Sequence, residues 1–565
     1  MTLPANTTHR ILFYHVGAQS AWLYPAALHL KTYIDLMYPD TAQHLTWLVP
    51  LQQQVTDQEL IEYIVQNQVD LLCTSHYLWN HAFLTDQLAR VRPQLPSNVK
   101  IIAGGPSIDV NINPDFFSEH PSIDYAVYSA GEQAFADIVN HLVSGRPLIA
   151  FNTSNCAWKN ARNGQTVVAD YKFVKMIETS PFVHNAELFE DMVKDAHTRN
   201  GQTWLPYTLT RGCPYACTFC DWNSGLGNKV SRRKHTYQQE IDLFQRLGVT
   251  NIYLADANVG QYTEDIDMIE YFAEKNIKES AGFHVGGNFS KLKKENNLKI
   301  FHAMARGRLI NRTFNFSIQD TNDEILNNIN RPDVGWSVHA AMARELQTAY
   351  PHLTVKAQLI YGLPGQTPAS WRETLKNITQ QRMIPTIFLN DPLPASPALY
   401  DAEYQRRFQF EYITSNRLKV DKTVYQSRIP QRSVSFEQAD IVQMNILSMI
   451  YGNMAVLNTV LLQNNKTVFD IECVVDDFLQ TDNCHKLYNN LFSNWVSHSN
   501  FYYTINFGGQ TQLIEDVTIN DLLDDNQFLF YLTKFLSAAE QKQFSKFVLS
   551  PEFRDSLLEI LSDTD

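Results

Sequence analysis

Three cysteines in the stretch RGCPYACTFCDW, Cys213, Cys217 and Cys220, have the spacing C-x3-C-x2-C. Three thiolates on one short loop can ligate three irons of a cubane cluster and leave the fourth iron open. A small molecule can bind the open iron and receive an electron there. A structural zinc site needs four ligands, usually two separated pairs, and no second cysteine pair exists. A disulfide framework requires more cysteines and an oxidising compartment, whereas only Cys73, Cys156, Cys473 and Cys484 remain. A chance trio of buried cysteines is the other alternative. The trio is read as the ligand set of a site-differentiated [4Fe-4S] cluster.

The elements around the trio must hold it at the end of a strand. WLPYTLT (204–210) reads as that strand, and Gly212 and Pro214 hold an extended turn where the cysteines sit. Further strands are predicted at 251–259, 281–289, 312–320, 354–363 and 385–393, with a helical segment between each pair. These six βα units over 204–398 give a partial (β/α)6 barrel, which places chemistry at its strand ends. Upstream, residues 1–145 alternate five apolar strands (10–17, 44–50, 69–77, 98–108, 123–131) with helices. That is the pattern of a doubly wound parallel sheet, whose ligands sit outside the carboxyl ends of the strands. Residues 146–203 read as a polar connector ending in a helix. Residues 399–565 read as mainly helical, with apolar helical spacing at 439–462 and 528–548. The overall class is α/β.

With 565 residues, two or three domains are expected. An apolar content of 44% supports large cores. The net charge of −13 argues against a general polyanion binder, so no nucleic-acid partner is expected. No stretch approaches eighteen consecutive apolar residues, so no membrane span is expected. The few cysteines, and a cluster that needs reducing power, point to the cytoplasm.

The trio with Phe219 before its third cysteine, C-x3-C-x-aromatic-C, resembles the radical S-adenosylmethionine (SAM) enzymes. The resemblance implies that the open iron chelates SAM and that electron transfer from the cluster yields a 5′-deoxyadenosyl radical. It also implies a low-potential electron donor such as flavodoxin or ferredoxin. Phe219 then lies against adenine, and Asp256 and Asn258, in a DAN segment where relatives often have GGE, hold the SAM amino group. Ser317 and Gln319 would serve the ribose, Arg331 the carboxylate, and Gly362 and Gly365 a close approach to adenine. The strand-end loops of the first domain resemble those of cobalamin-binding domains fused to such enzymes. On that resemblance Ser75, Tyr77, Trp79, Gly104, Gly105, Ser107 and Gly131 would line a cobalamin site. The D-x-H-x-x-G signature that supplies a lower-axial histidine in many cobalamin proteins is absent.

Two reactions compete. The first is cobalamin-dependent methyl transfer to an unreactive carbon of a peptide or small-molecule natural product, which the N-terminal half favours. The second is epimerisation of a ribosomal precursor peptide, as in proteusin maturation, with Cys473 or Cys484 of the helical region, or Cys73 or Cys156 of the N-terminal side, as thiol hydrogen donor. A degenerate, non-catalytic binding module is the third reading, and the intact trio speaks against it.

Overall fold

Runs of buried β-branched and leucine residues build the first sheet. Its strands are β1 (His9–Tyr14), β2 (Leu45–Trp47), β3 (Leu71–Ser75), β4 (Lys100–Gly104), β5 (Tyr125–Val127), β6 (Cys156–Lys159) and β7 (Thr166–Val168). The computed structural model describes residues 8–480, 485, 488 and 489, except 18–20, 110–114, 161–162, 223–227, 235, 311–312, 332–333, 394–395, 419–423, 464–467 and 469. The strand order is β2-β1-β3-β4-β5-β6-β7. The first five strands are parallel. Alternate residues feed two helical layers: Leu12, Tyr14, Leu72 and Ile101 pack on one face, and Ile11, Phe13, Leu71 and Ile102 on the other. Burial on both faces is why these strands read as continuous apolar runs. The order reverses between β1 and β3, the point at which such sheets bind ligands.

The segment expected to be a connector also extends this sheet. β6 runs antiparallel to β5, and β7 antiparallel to β6. Strands of four and three residues within a polar stretch give little periodicity to read.

Six parallel strands follow in two hydrogen-bonded sets. β8 (Trp204–Tyr207), β11 (Asn251–Val259) and β12 (His284–Phe289) form one; β13 (Thr313–Gln319), β14 (Thr354–Tyr361) and β15 (Ile384–Leu389) form the other. β12 lies beside β13, and among the described residues no pairing joins β15 back to β8, so the barrel is open. Two short strands, β9 (Thr210–Arg211) and β10 (Ser231–Arg232), pair antiparallel and close the base of the cysteine loop.

The region after residue 398 is not purely helical. β16 (Glu411–Leu418) and β17 (Val424–Arg432) form an antiparallel hairpin. The helix Gln438–Gln463 then docks on the barrel. The buried indole of Trp371 donates to Met444 O (3.2 Å) and to Ser448 Oγ (2.9 Å), which gives its polar edge the partner that burial demands. The helix expected at 528–548 lies outside the described residues. Among the described residues, no helix is long and apolar enough to cross a membrane.

Contacts at the start of β8 and at β9 are among those that tie the first sheet to the barrel. The chain after β1 zips onto the β8 edge: Leu23 N donates to Trp204 O and Trp204 N to Ala21 O, both 2.8 Å. Trp22 stacks on Trp204, with ring centroids 6.0 Å apart. Arg211 in β9 also forms a two-armed ion pair with Glu132, the first residue of the helix Glu132–Ser144.

Beneath β8 lies a buried polar knot. Arg233 Nη2 meets Glu240 Oε1 at 2.8 Å, with the two side chains 1% and 0% exposed. Ser180 Oγ (2.6 Å), Thr236 Oγ1 (3.2 Å) and the Tyr207 hydroxyl also donate to Glu240. The knot joins the end of the connector to the first barrel strand. Removing one member of a buried pair strands its partner's charge, at about 3–5 kcal/mol. An exposed pair such as Arg90–Asp57 contributes about 0–1 kcal/mol. Glu240→Ala is therefore expected to lower the urea unfolding midpoint far more than Asp57→Ala. Equal shifts would show that Arg233 finds a replacement anion.

Candidate active site

The cysteine loop leaves β9 through Gly212. Its φ is +86°, and a Cβ there would stand 2.1 Å from Lys229 O, so only glycine fits. The loop has no regular structure, and its backbone polar groups are satisfied from outside. Thr218 N donates to Ile329 O (3.0 Å), Ala398 N to Thr218 O (2.8 Å) and Asn330 Nδ2 to Ala216 O (3.0 Å). Cys213 and Cys217 are buried, and Cys220 is partly exposed. Asn258 Nδ2 donates to Cys213 Sγ (3.1 Å), and Trp222 N to Cys220 Sγ (3.5 Å). Burial pushes the Cys220 thiol up to about 11, while the charge of Lys291 favours its thiolate. Among the described residues no three acidic, His or Cys side chains converge on a single ion. Three sulfurs on one loop, two of them receiving N–H groups, fit a [4Fe-4S] cluster.

Around this loop stand the ends of the barrel strands. Phe219 packs with Ile325, Leu326, Ile329, Ile360 and Leu363, forming an apolar wall beside the Gly362–Gly365 turn. In that turn Gly362 has φ +80° and Gly365 φ +94°, and a Cβ on Gly365 would meet Asn328 Nδ2 at 2.6 Å. Gln319 ends β13 with φ +69°, next to a register shift against β14, and its buried Oε1 has no hydrogen-bond partner among the described residues. Arg331 is buried and donates to Ser317 O, while Ser317 Oγ donates to Gln358 Oε1 (2.6 Å). Phe219, Gln319, Arg331 and the glycine turn are thus brought together on the β13–β14 side of the loop.

Asp256 is occupied differently. Its Oδ1 accepts Leu209 N (2.9 Å) and Thr210 N (3.0 Å), fastening the end of β8 that launches the loop. Asn258 sits between Cys213 and Lys291, whose Nζ donates to Asn258 Oδ1 at 3.1 Å. Sequence reasoning missed Lys291. It lies in the run KLKKENN, which reads as a solvated helix start.

A second locus lies at the switch point of the first sheet. Tyr77 and Trp79 stack with centroids 4.6 Å apart, and the Tyr77 ring meets the His15 ring edge-on at 5.5 Å. His15 follows β1 and is 4% exposed, yet neither ring nitrogen has a hydrogen-bond partner among the described residues. Burial holds this ring neutral, with its pKa lowered to about 3. Trp79 Nε1 and Gln52 Nε2 are buried without partners among the described residues as well. Four orphaned polar atoms beside two stacked rings fit a flat ligand edged with amides, as cobalamin is, because such atoms carry a desolvation cost until paired. Ser75 ends β3, and Ser107 is buried in the short helix Pro106–Asp109 after β4. The glycines here have a packing duty. A Cβ on Gly105 would meet His76 O at 2.5 Å and one on Gly131 would meet Val127 Cγ1 at 2.7 Å, while Gly104 has ordinary clearance.

The other described cysteines lie away from these loops. Cys73 and Cys156 are buried within the first sheet. Cys473 is on the helix Ile471–Leu479, held to the outer helix Pro368–Gln380 by Arg372, which pairs with Glu472 and Asp476. Cys484 lies outside the described residues.

Residues 207–378 match the Radical SAM superfamily. The chain is 28% identical over 334 residues to the cobalamin-dependent radical SAM methyltransferase TokK of Streptomyces tokunonensis, covering 57% of this chain and 46% of TokK. It is 25% identical over 386 residues to the 2-(S-pantetheinyl)-carbapenam-3-carboxylate methyltransferase of Streptantibioticus cattleyicolor, covering 67% of this chain and 54% of that enzyme. The chain thus spans about half the length of these curated relatives. Its fold resembles the cobalamin-dependent SAM radical enzyme OxsB, solved with aqua-cobalamin and SAM bound. That match has TM-score 0.57 and 13% identity, and covers 98% of this chain and 84% of OxsB.

Burial raises the Asp256 carboxyl from 3.8 to about 6. The folded chain therefore binds this proton more tightly than the unfolded chain does. The associated stability is fully present below 3.8 and is lost as pH rises through about 6. Asp256→Asn is expected to flatten the stability profile across this window, read as urea midpoints between pH 4 and 7 on the scale set by these values. An unchanged slope would show that Asp256 ionises as freely in the folded chain as in the unfolded one.

Proposed function

Residues 207–378 form a radical SAM domain, and from that premise we propose that this chain is a cobalamin-dependent radical SAM methyltransferase acting on an unactivated carbon of a small-molecule or peptide natural product. When bound, the cluster with SAM supplies a hydrogen-abstracting 5′-deoxyadenosyl radical, and cobalamin supplies a methyl carrier. Cys213, Cys217 and Cys220 would hold the cluster. Phe219 and Ile360, both partly buried, offer the apolar face for adenine beside the Gly362–Gly365 turn. Arg331 provides a buried cation for a carboxylate. The orphaned Gln319 Oε1 can accept a hydroxyl proton. Trp79 and Tyr77 would stack on the corrin plane, and His15 and Gln52 would meet its amide edge. An external one-electron donor, such as flavodoxin or ferredoxin, would reduce the cluster.

One observation carries this reading: the two loci are mechanically one. Glu132, next to Gly131 of the first domain, grips Arg211, two residues before Cys213. A carrier at the switch point and a radical source at the cysteine loop can then serve one substrate from fixed positions.

Anaerobic reconstitution with iron, sulfide and hydroxocobalamin tests it. The wild-type protein is expected to show iron–sulfur absorbance, to retain corrin absorbance after desalting, and to form 5′-deoxyadenosine from SAM. Replacing all three loop cysteines with Ala is expected to abolish the first and third while leaving corrin binding. Trp79→Ala is expected to weaken corrin retention by about tenfold, the loss of roughly 1.4 kcal/mol of stacking. SAM cleavage surviving in the triple variant, or no corrin retained by the wild type, would overturn the assignment.

A further inference from the structure

Asn258 is an amide with an acceptor at one end and a donor at the other, and its surroundings fix which is which. Lys291 Nζ donates to its Oδ1 at 3.1 Å, so its NH2 faces Cys213 Sγ, also at 3.1 Å. The Lys291 ammonium stands over the Tyr215 ring, 4.8 Å from the centroid, and that ring belongs to the cysteine loop itself. Tyr215 is held in turn: its hydroxyl donates to Gln261 Oε1 (3.1 Å), which also accepts Ser290 Oγ (3.0 Å). Asn258 and Cys213 are 8% and 5% exposed, so water screens this contact little.

We propose that Lys291 and Asn258 form a relay that raises the reduction potential of the cluster held by Cys213, Cys217 and Cys220. The inference rests on the cluster assignment above. A reduced cluster carries one more negative charge, which both a hydrogen bond to sulfur and a nearby cation stabilise. Asn258 makes the hydrogen bond. Lys291 is a positioning residue: it prevents the amide from turning its carbonyl oxygen toward sulfur, and it adds its own charge. The relay makes the cluster easier for a one-electron donor to reduce.

The test is an anaerobic redox titration of the reconstituted protein, followed by the electron paramagnetic resonance signal of the reduced cluster. Lys291→Met and Asn258→Leu are each expected to lower the reduced-to-oxidised ratio at the wild-type midpoint by roughly tenfold, about 59 mV for a one-electron couple. Lys291→Arg keeps a cation and is expected to recover most of that loss, which a packing role for the lysine stem would not predict. Unchanged midpoints in Lys291→Met and Asn258→Leu, with wild-type cluster content, would overturn the relay and leave the functional assignment intact. Should Asn258→Leu fail to assemble a cluster, Lys291→Met, which removes no contact to sulfur, decides. A wild-type protein that assembles no cluster would sink the assignment and the relay together.

Discussion

The loop that carries Cys213, Cys217 and Cys220 is neither helix nor strand, so its backbone polar groups need partners from elsewhere. That constraint organises the molecule around residues 212–220. Ile329 and Asn330, beyond the helix Asp323–Asn328, grip the loop at Thr218 and Ala216, and Ala398 grips it again beyond β15. Asp256 fastens its upstream strand end, and the β9–β10 pair closes its base. The loop is therefore anchored to both halves of an open barrel. The open side of that barrel is no defect, because the first domain packs against its β8 edge.

The same economy governs how the two domains meet. Two flat carbonyl–amide pairs from the chain after β1 extend the β8 edge and cover it. The Glu132–Arg211 pair adds a directional contact next to the cysteines. Burial alone would raise the Glu132 carboxyl, but Arg211 outweighs it and holds the group below the ordinary value. Below pH values at which Glu132 takes up a proton, this hold on Arg211 loosens. Domain orientation and cluster loop thus share one electrostatic joint.

Much of the fold was legible in the sequence because both sheets bury their strands on two faces. Five apolar runs before residue 145 and six after residue 204 each became a strand at the expected place. What escaped were β6 and β7, too short for a period, and the β16–β17 hairpin, whose polar sequence EYITSNRL does not alternate cleanly. At the site, the cysteine trio and Gly212 announce themselves by type and spacing. Lys291 does not, because its meaning depends on Asn258 and Tyr215 standing beside it in space. Asp256 shows the converse: a carboxylate at a strand end reads as a ligand for an ammonium, but two backbone amides already occupy one of its oxygens.

The same contrast sets Glu240 and Asp256 apart from His15, Trp79 and Gln319. Glu240 and Asp256 are deeply buried and answered by several donors, and such groups hold elements in place. His15, Trp79 and Gln319 are also buried or line the strand-end loops, yet each keeps a polar atom that nothing among the described residues answers. Leaving such atoms unpaired costs roughly 1–3 kcal/mol apiece. A fold that satisfies Glu240 four times over has the means to satisfy them too. These three stand at the two strand-end loci, where a ligand would supply the missing partners.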